Sequence, residues 1–228
     1  MSNSCKPLNV HGDRAIFLAS GHGADIASQR TDDLDAMALR HAGWLCNPYA
    51  IDIACGAGGQ AVRLAMAGAA VLAVDIADLE QAVMGAAALK GVCVTFMRAD
   101  LRALNVLESD QLADLIVCQR AIHYLPYADA VDSLTTMRRL LAPTGRLYLS
   151  ASGIGSELGL GYAGADAPVA TRYAELSADM RTKHDIHGPV CLYSESDMQA
   201  LLIDSGFAVE TLFSSEFGNI KAVAGVSG

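Results

Sequence analysis

The sequence has no apolar stretch long enough to cross a bilayer. Its longest, Leu64 to Val74, stops at Asp75 and falls well short of the ~20 residues a spanning helix needs. Met1 to Pro7 lacks an apolar region after its charge, which argues against a secretory signal. None of the 6 cysteines forms a C-x-x-C pair; Cys5, Cys46, Cys55, Cys93, Cys118 and Cys191 are scattered. Several lie in apolar, strand-like runs, where a reduced cysteine acts as a small hydrophobe, and the pattern suits a reducing cytoplasm. Basic residues are scarce: 16 Lys and Arg against 25 Asp and Glu give a formal charge of -9. With no Lys/Arg cluster, binding to a phosphate backbone is disfavoured. The chain also lacks repeats, low-complexity tracts and any linker between separate domains.

What is present is a chain of 228 residues, 52% hydrophobic, enough for one large domain. From Ala50 onward, short apolar runs alternate with helix-like stretches, the mark of βαβ units and a mostly parallel sheet. The pattern predicts strands near 49–54, 71–75, 92–97, 113–118 and 145–151, and helices near 58–67, 79–90 and 126–141. Asp32 to His41 reads as an earlier helix opened by negative charge. Ser194 to Asp197 resembles a capping box ahead of a helix that stops at Gly206. Phe207 to Phe213 and Ile220 to Val226 then read as strands too closely joined to be parallel. The expected fold is therefore α/β, a doubly wound and mostly parallel seven-stranded sheet with an antiparallel C-terminal hairpin strand and helices on both faces. Residues 1–48 are expected to form an N-terminal helical cap and 49–228 the main domain. Within the latter, 152–192 is a glycine-punctuated insertion, a length of connection that is usually a lid or binding loop.

The most informative segment is Ala50 to Gln60, an apolar strand running into a glycine-rich turn and then a helix. Gly56 and Gly58 let backbone approach a ligand, and a helix N-terminus offers N–H groups to a carboxylate or phosphate. A second strand ends in Asp75, where a carboxylate can accept hydrogen bonds from both ribose hydroxyls. Gly56-x-Gly58-x-x-Ala61 also satisfies a dinucleotide fingerprint. Three features favour another adenosine ligand: Asp52, whose charge suits an ammonium or sulfonium rather than a pyrophosphate; the long segment before the first strand; and the terminal hairpin.

Asp52-x-Ala54-x-Gly56-x-Gly58 resembles the first motif of the class I S-adenosylmethionine-dependent methyltransferases, with Ala54 in place of the first glycine. Asp75 falls at that family's ribose-binding acid. Asp100, in Arg98-Ala-Asp100-Leu101, falls where the family often has an acid near the adenine amino group. Asp114 to Gln119 resembles the fourth motif, whose end approaches the methionine moiety. The resemblance covers roughly 45–151, and 193–228 in outline. It implies S-adenosylmethionine as cofactor, with Ile76 packed on the adenine and backbone near Leu101 meeting its ring nitrogens.

Methyl transfer from a sulfonium is an in-line displacement that mainly needs positioning, so no obligatory catalytic residue is expected. Arg120, after the fourth strand, can clamp a substrate carboxylate, and His123 follows it closely. Tyr162, Tyr173 and Tyr193 are candidates for the acceptor pocket or for cation–π contact with the sulfonium. His22 and Arg40 are placed to fold over the methionine end, Arg40 at its carboxylate. His184 and His187 have no third partner that would make a metal site. The leading expectation is methyl transfer to an N, O, S or carbon nucleophile of a small molecule, without nucleic acid or membrane. Attack at the aminocarboxypropyl carbon instead, with release of methylthioadenosine, is a second possibility; a non-catalytic cofactor-binding subunit is a third, and a dinucleotide dehydrogenase a minor fourth. Oligomeric state is not legible.

Overall fold

Asp32 opens the first helix with its own side chain, and from there the elements follow the predicted alternation. The computed structural model describes residues 21–226 apart from position 27; the expectations for Met1 to Pro7 and Cys5 lie outside the described residues. Helix α1 (Asp33–Trp44) begins where the Asp32 carboxylate accepts the Leu34 and Asp35 N–H groups, while Asp35 accepts the Asp32 N–H in return. This reciprocal box satisfies N–H groups that a helix start leaves open. Then come β1 (Tyr49–Ile53), α2 (Gly59–Met66), β2 (Ala70–Asp75), α3 (Glu80–Leu89), β3 (Thr95–Arg98) and β4 (Ala113–Gln119). The chain closes with α4 (Tyr127–Leu140), β5 (Leu141–Ser152), α5 (Ala178–His184), α6 (Glu195–Asp204), β6 (Phe207–Ser214) and β7 (Asn219–Val226).

The seven strands lie in the order β3-β2-β1-β4-β5-β7-β6. The first five pair in parallel, and β7 runs antiparallel between β5 and β6. Alternating strand side chains feed two cores. Ile51, Ile116 and Leu149 meet Leu134 and Met137 of α4 and Leu201 of α6. Ala50, Val117 and Tyr148 meet Leu34 and Ala38 of α1 with Leu64 of α2. The doubly wound architecture is as the alternation predicts.

Four local features depart from the periodicity. β3 starts at Thr95 rather than residue 92, and β5 starts at Leu141, drawn into the sheet by pairing with Ala113. A 3-10 segment, Leu101–Leu107, follows β3, buried through Leu104 and Leu107. Helix α5 has no buried residue and therefore no apolar stripe to reveal it. Within the insertion, Leu158, Tyr162, Leu176, Ile186, Val190 and Leu192 make a small core of their own. No helix among the described residues is long and apolar enough to cross a membrane.

Candidate cofactor and acceptor site

The turn after β1 is held in left-handed backbone at Ala54 (φ 57°), Gly56 (φ 55°) and Gly58 (φ 82°). Gly58 is the N-cap of α2, and a Cβ there would sit 3.1 Å from Val83 Cγ1 of α3. Its glycine thus serves the backbone and the packing of α2 on α3. At Gly56 a Cβ would lie 2.8 Å from Asp25 Oδ2. The sequence leads one to expect open N–H groups at this bend, ready for an anion. The structure corrects that: Asp75 Oδ2 accepts the Gly56 N–H at 3.0 Å, and Asp25 Oδ2 accepts the Ala57 N–H at 3.0 Å. Asp75 Oδ1 meanwhile accepts the Ala77 N–H at 2.9 Å. Two backbone donors thereby orient the Asp75 carboxylate at the end of β2.

Asp52 adds a third carboxylate below the bend. It is 3% exposed, and its Oδ2 has no hydrogen-bond partner among the described residues. Burial, with the neighbouring Asp35 charge, pushes its carboxyl up to about 8. Burial likewise lifts Asp35 to about 6. Asp25 and Asp75 at the turn would repel a pyrophosphate, whereas a cationic ligand would meet their negative charge and favour ionisation of Asp52 beside them. The donor set therefore fits a sulfonium- and ammonium-bearing adenosine better than a dinucleotide.

These groups line a cavity of about 1940 Å³ over the C-terminal ends of the parallel strands, where open α/β sheets place their ligands. Ala54, Asp75, Ile76, Asp100 and Leu101 face it from β1, β2 and β3. Ile76 is 44% exposed, an apolar face presented to the cavity. Asp100 is forked by Arg102 (Nη2 to Oδ2, 2.6 Å) and accepts the Arg102 N–H, so its carboxylate is largely engaged. Arg102, foremost through its hydrogen bond, holds that carboxyl below its usual range.

From β4, Gln119 donates to Asp35 Oδ1 at 2.5 Å and accepts from Ser150 Oγ at 3.3 Å. Arg120 follows in left-handed backbone (φ 52°), its N–H bonded to Ser150 O at 2.9 Å. Its guanidinium lines the cavity with no hydrogen-bond or ion-pair partner among the described residues. A non-glycine residue held at such a φ is a strained arrangement of the kind that clusters at ligand sites. His123 is buried, and burial, then the Arg120 charge, drives its imidazole down to about 3. It is thus neutral near pH 7. Tyr173 lines the cavity and donates to the Tyr124 carbonyl at 3.1 Å. His22 also faces the cavity, its carbonyl held by Tyr124 Oη at 2.6 Å.

Several predicted site residues lie elsewhere. Gly56 is screened by Asp25, and Gly58 is turned toward α3; neither lines the cavity. Arg40 is exposed on the solvent side of α1, away from the cavity, because the stripe of Leu34, Ala38 and Ala42 faces the sheet. Tyr162 is buried in the insertion, donating to Arg172 O and Val190 O, and Tyr193 is buried in the main core. Both tyrosines hold backbone or core rather than the cavity. His184 and His187 turn to different carboxylates, Glu157 and Asp185, each at 3.1 Å. Asp25, Asp35 and Lys221 are the cavity groups the sequence did not reveal. Only the capping pattern at Asp32 hinted that acids of α1 would sit over the strand ends.

Residues 50–145 match the family model of a methyltransferase domain. This stretch carries a methyltransferase domain. The strand order, closed by the antiparallel β7, is that of the methyltransferase fold. Solved structures agree in architecture. An S-adenosylmethionine-dependent methyltransferase from Clostridium acetobutylicum superposes with TM-score 0.67 at 12% identity, over 89% of this chain and 95% of that one. The 1,6-didemethyltoxoflavin-N1-methyltransferase of Burkholderia thailandensis, solved with 1,6-didemethyltoxoflavin and S-adenosylhomocysteine, gives 0.65 at 17%, over 89% and 79%. Magnesium protoporphyrin IX methyltransferase from Synechocystis, with S-adenosylhomocysteine, gives 0.56 at 23%, over 85% and 82%. No curated protein matches the chain in sequence.

Proposed function

We propose that this enzyme methylates a small molecule by in-line displacement, with donor and acceptor side by side in one cavity. The observation that carries the proposal is the triad of carboxylates, Asp25, Asp52 and Asp75, around the bend after β1. On this reading Asp75, already oriented by two N–H groups, takes the ribose hydroxyls. Ile76 packs on the adenine, with Asp100 and the backbone of Leu101 at its edge. Asp52 and Gln119 face the amino-acid end beside Ala54. When bound, the donor supplies a methyl carbon to the acceptor's lone pair and leaves as the neutral thioether.

The cavity, about 1940 Å³, exceeds the roughly 300–1,000 Å³ typical of a site for one small ligand. The surplus lies under residues 152–192, which we assign as a lid, with the segment before β1 as a cap. Arg120, Tyr173 and the neutral His123 stand between the two halves as acceptor-positioning groups. Positioning of this kind is where the rate of a displacement reaction is gained. Reduced Cys55, Cys118 and Cys191, all buried and unpaired, suit a cytoplasmic setting.

Incubation with S-adenosylmethionine and a metabolite extract, followed by mass spectrometry of the co-product, tests the assignment. S-adenosylhomocysteine is expected, together with an acceptor heavier by one methylene. Methylthioadenosine as the product would show that the aminocarboxypropyl carbon is attacked instead. Cofactor binding without turnover would identify a binding subunit.

A further inference from the structure

Lys221 is a charged residue in a strand that should be wholly apolar. β7 is buried from Ile220 to Gly225, and Lys221 within it is only 5% exposed. A buried ammonium is costly unless paired and hydrogen-bonded. Among the described residues its one ion-pair partner is Asp32 Oδ2, at 2.9 Å. Helix α1 does not require that pairing. Asp32 caps the helix through its other oxygen, Oδ1, and an uncharged asparagine caps as well. Nor does the sheet require it, since Val223, two residues along the same face, is an ordinary core side chain. A charge that neither element needs, placed on a cavity wall, points to a ligand.

The register shows which part of the cavity. Gln119 pairs with Ser150, Ser150 with Lys221, and Lys221 with Phe213, a row across β4, β5, β7 and β6. Gln119 belongs to the proposed donor half, so Lys221 stands two strands beyond it, on the acceptor side. The Phe213 ring lies 6.0 Å from its Nζ, and Phe213 and Phe217 both line the cavity. Arg120, whose N–H is anchored on Ser150 of this row, also lines the cavity. Exposed carboxylates, Asp33 and Glu216, also line this side, but neither approaches Lys221 within ion-pair distance.

We propose that Lys221, held by Asp32, recognises a carboxylate on an aromatic acceptor whose ring lies against Phe213 and Phe217. The proposal rests on the methyl-transfer reading above, because it takes the β1–β3 half of the cavity for the donor. Lys221 contacts the acceptor away from the reacting atom and so selects and orients it.

Three probes of one shape and different charge test this: benzoate, benzamide and benzamidine, titrated by saturation-transfer NMR into protein saturated with S-adenosylhomocysteine. Benzoate should bind best. Lys221→Met should weaken benzoate at least about tenfold, the loss expected for one charge-assisted hydrogen bond in a desolvated site, while leaving benzamide and S-adenosylhomocysteine unchanged. Lys221→Arg should keep part of the benzoate preference. Asp32→Asn keeps the helix cap and removes the competing carboxylate, so benzoate should bind tighter; a merely structural ion pair would yield lower stability alone. Benzoate no better than benzamide, a preference for benzamidine, or unchanged benzoate affinity in both Lys221→Met and Asp32→Asn would overturn the proposal. Failure of the wild type to bind S-adenosylhomocysteine in a separate calorimetric titration would instead strike the donor assignment, and the acceptor proposal with it.

Discussion

Asp75 joins a structural role to the ligand role proposed for it. Each of its oxygens accepts a backbone N–H, from Gly56 and from Ala77, and the residue lines the cavity. Burial raises its carboxyl above the usual range, and the two N–H groups oppose that rise. Asp75→Ala should weaken S-adenosylhomocysteine binding by about 1–3 kcal/mol, the cost of stranding buried hydroxyls without an acceptor. It should also lower the melting temperature, since the Gly56 and Ala77 N–H groups lose their partner. Asp75→Asn separates the two roles: the amide oxygen can still accept one N–H, so calorimetry should show a larger loss in affinity than melting shows in stability. Equal affinity for wild type and both variants would remove Asp75 from the site. Ala54 is the complementary case. It occupies left-handed backbone at φ 57°, where a glycine would rest without a Cβ clash, and the chain carries the alanine nonetheless.

At the scale of elements, the insertion is folded around a small core of its own. Its own core is stitched to the domain by pairing of Ile154 and Tyr193 N–H groups with Tyr193 and Ser152 carbonyls, and by Cys191 N–H on His123 O. Arg172 binds Asp197 at 2.5 Å and the Leu192 carbonyl at 3.0 Å, joining the insertion to the start of α6. The Tyr162 hydroxyl bridges Arg172 O and Val190 O inside this core. Tyr162→Phe leaves the Arg172 carbonyl short of its buried donor, at a cost of about 1–3 kcal/mol. Hydrogen exchange should then accelerate across 154–192 while β1, β4 and the bend keep their protection. Loss of protection throughout the sheet would mean that the insertion and domain unfold as one unit.

For the molecule as a whole, buried acids couple folding and ligand binding to pH. In the unfolded chain Asp35 and Asp52 ionise near 3.8; folded, burial lifts them to about 6 and about 8. Between those values the folded state binds more protons than the unfolded one, so their contribution falls as pH rises from about 4 to about 8. Asp52→Asn removes the larger of these effects. Its stability relative to wild type should therefore grow with pH across that window, measured by urea denaturation at a series of pH values. A cation bound beside Asp52 favours the ionised form. S-adenosylmethionine should hence release protons on binding near pH 7, and bind tighter as pH rises toward 8. Calorimetry in buffers of different ionisation heat reads this directly, and proton uptake would contradict it.

The sequence by itself determined the alternation of strands and helices, the glycine bend, the acid ending β2 and the antiparallel closing hairpin. Each of these depends on residues close together along the chain: apolar period, positive-φ glycines, a short link between Ser214 and Asn219. Tertiary structure alone decided what surrounds the bend. Asp25 lies far upstream yet caps Ala57, Asp35 of α1 meets Gln119 of β4, and Lys221 of β7 reaches Asp32. Sequence spacing carries no record of such meetings, because they arise from how α1 crosses the sheet and from the register of β5 on β7. The same packing turned Arg40 to solvent and Tyr162 into the core of the insertion. Local periodicity identifies which face of an element is apolar; it does not say which distant polar group will be waiting at its end.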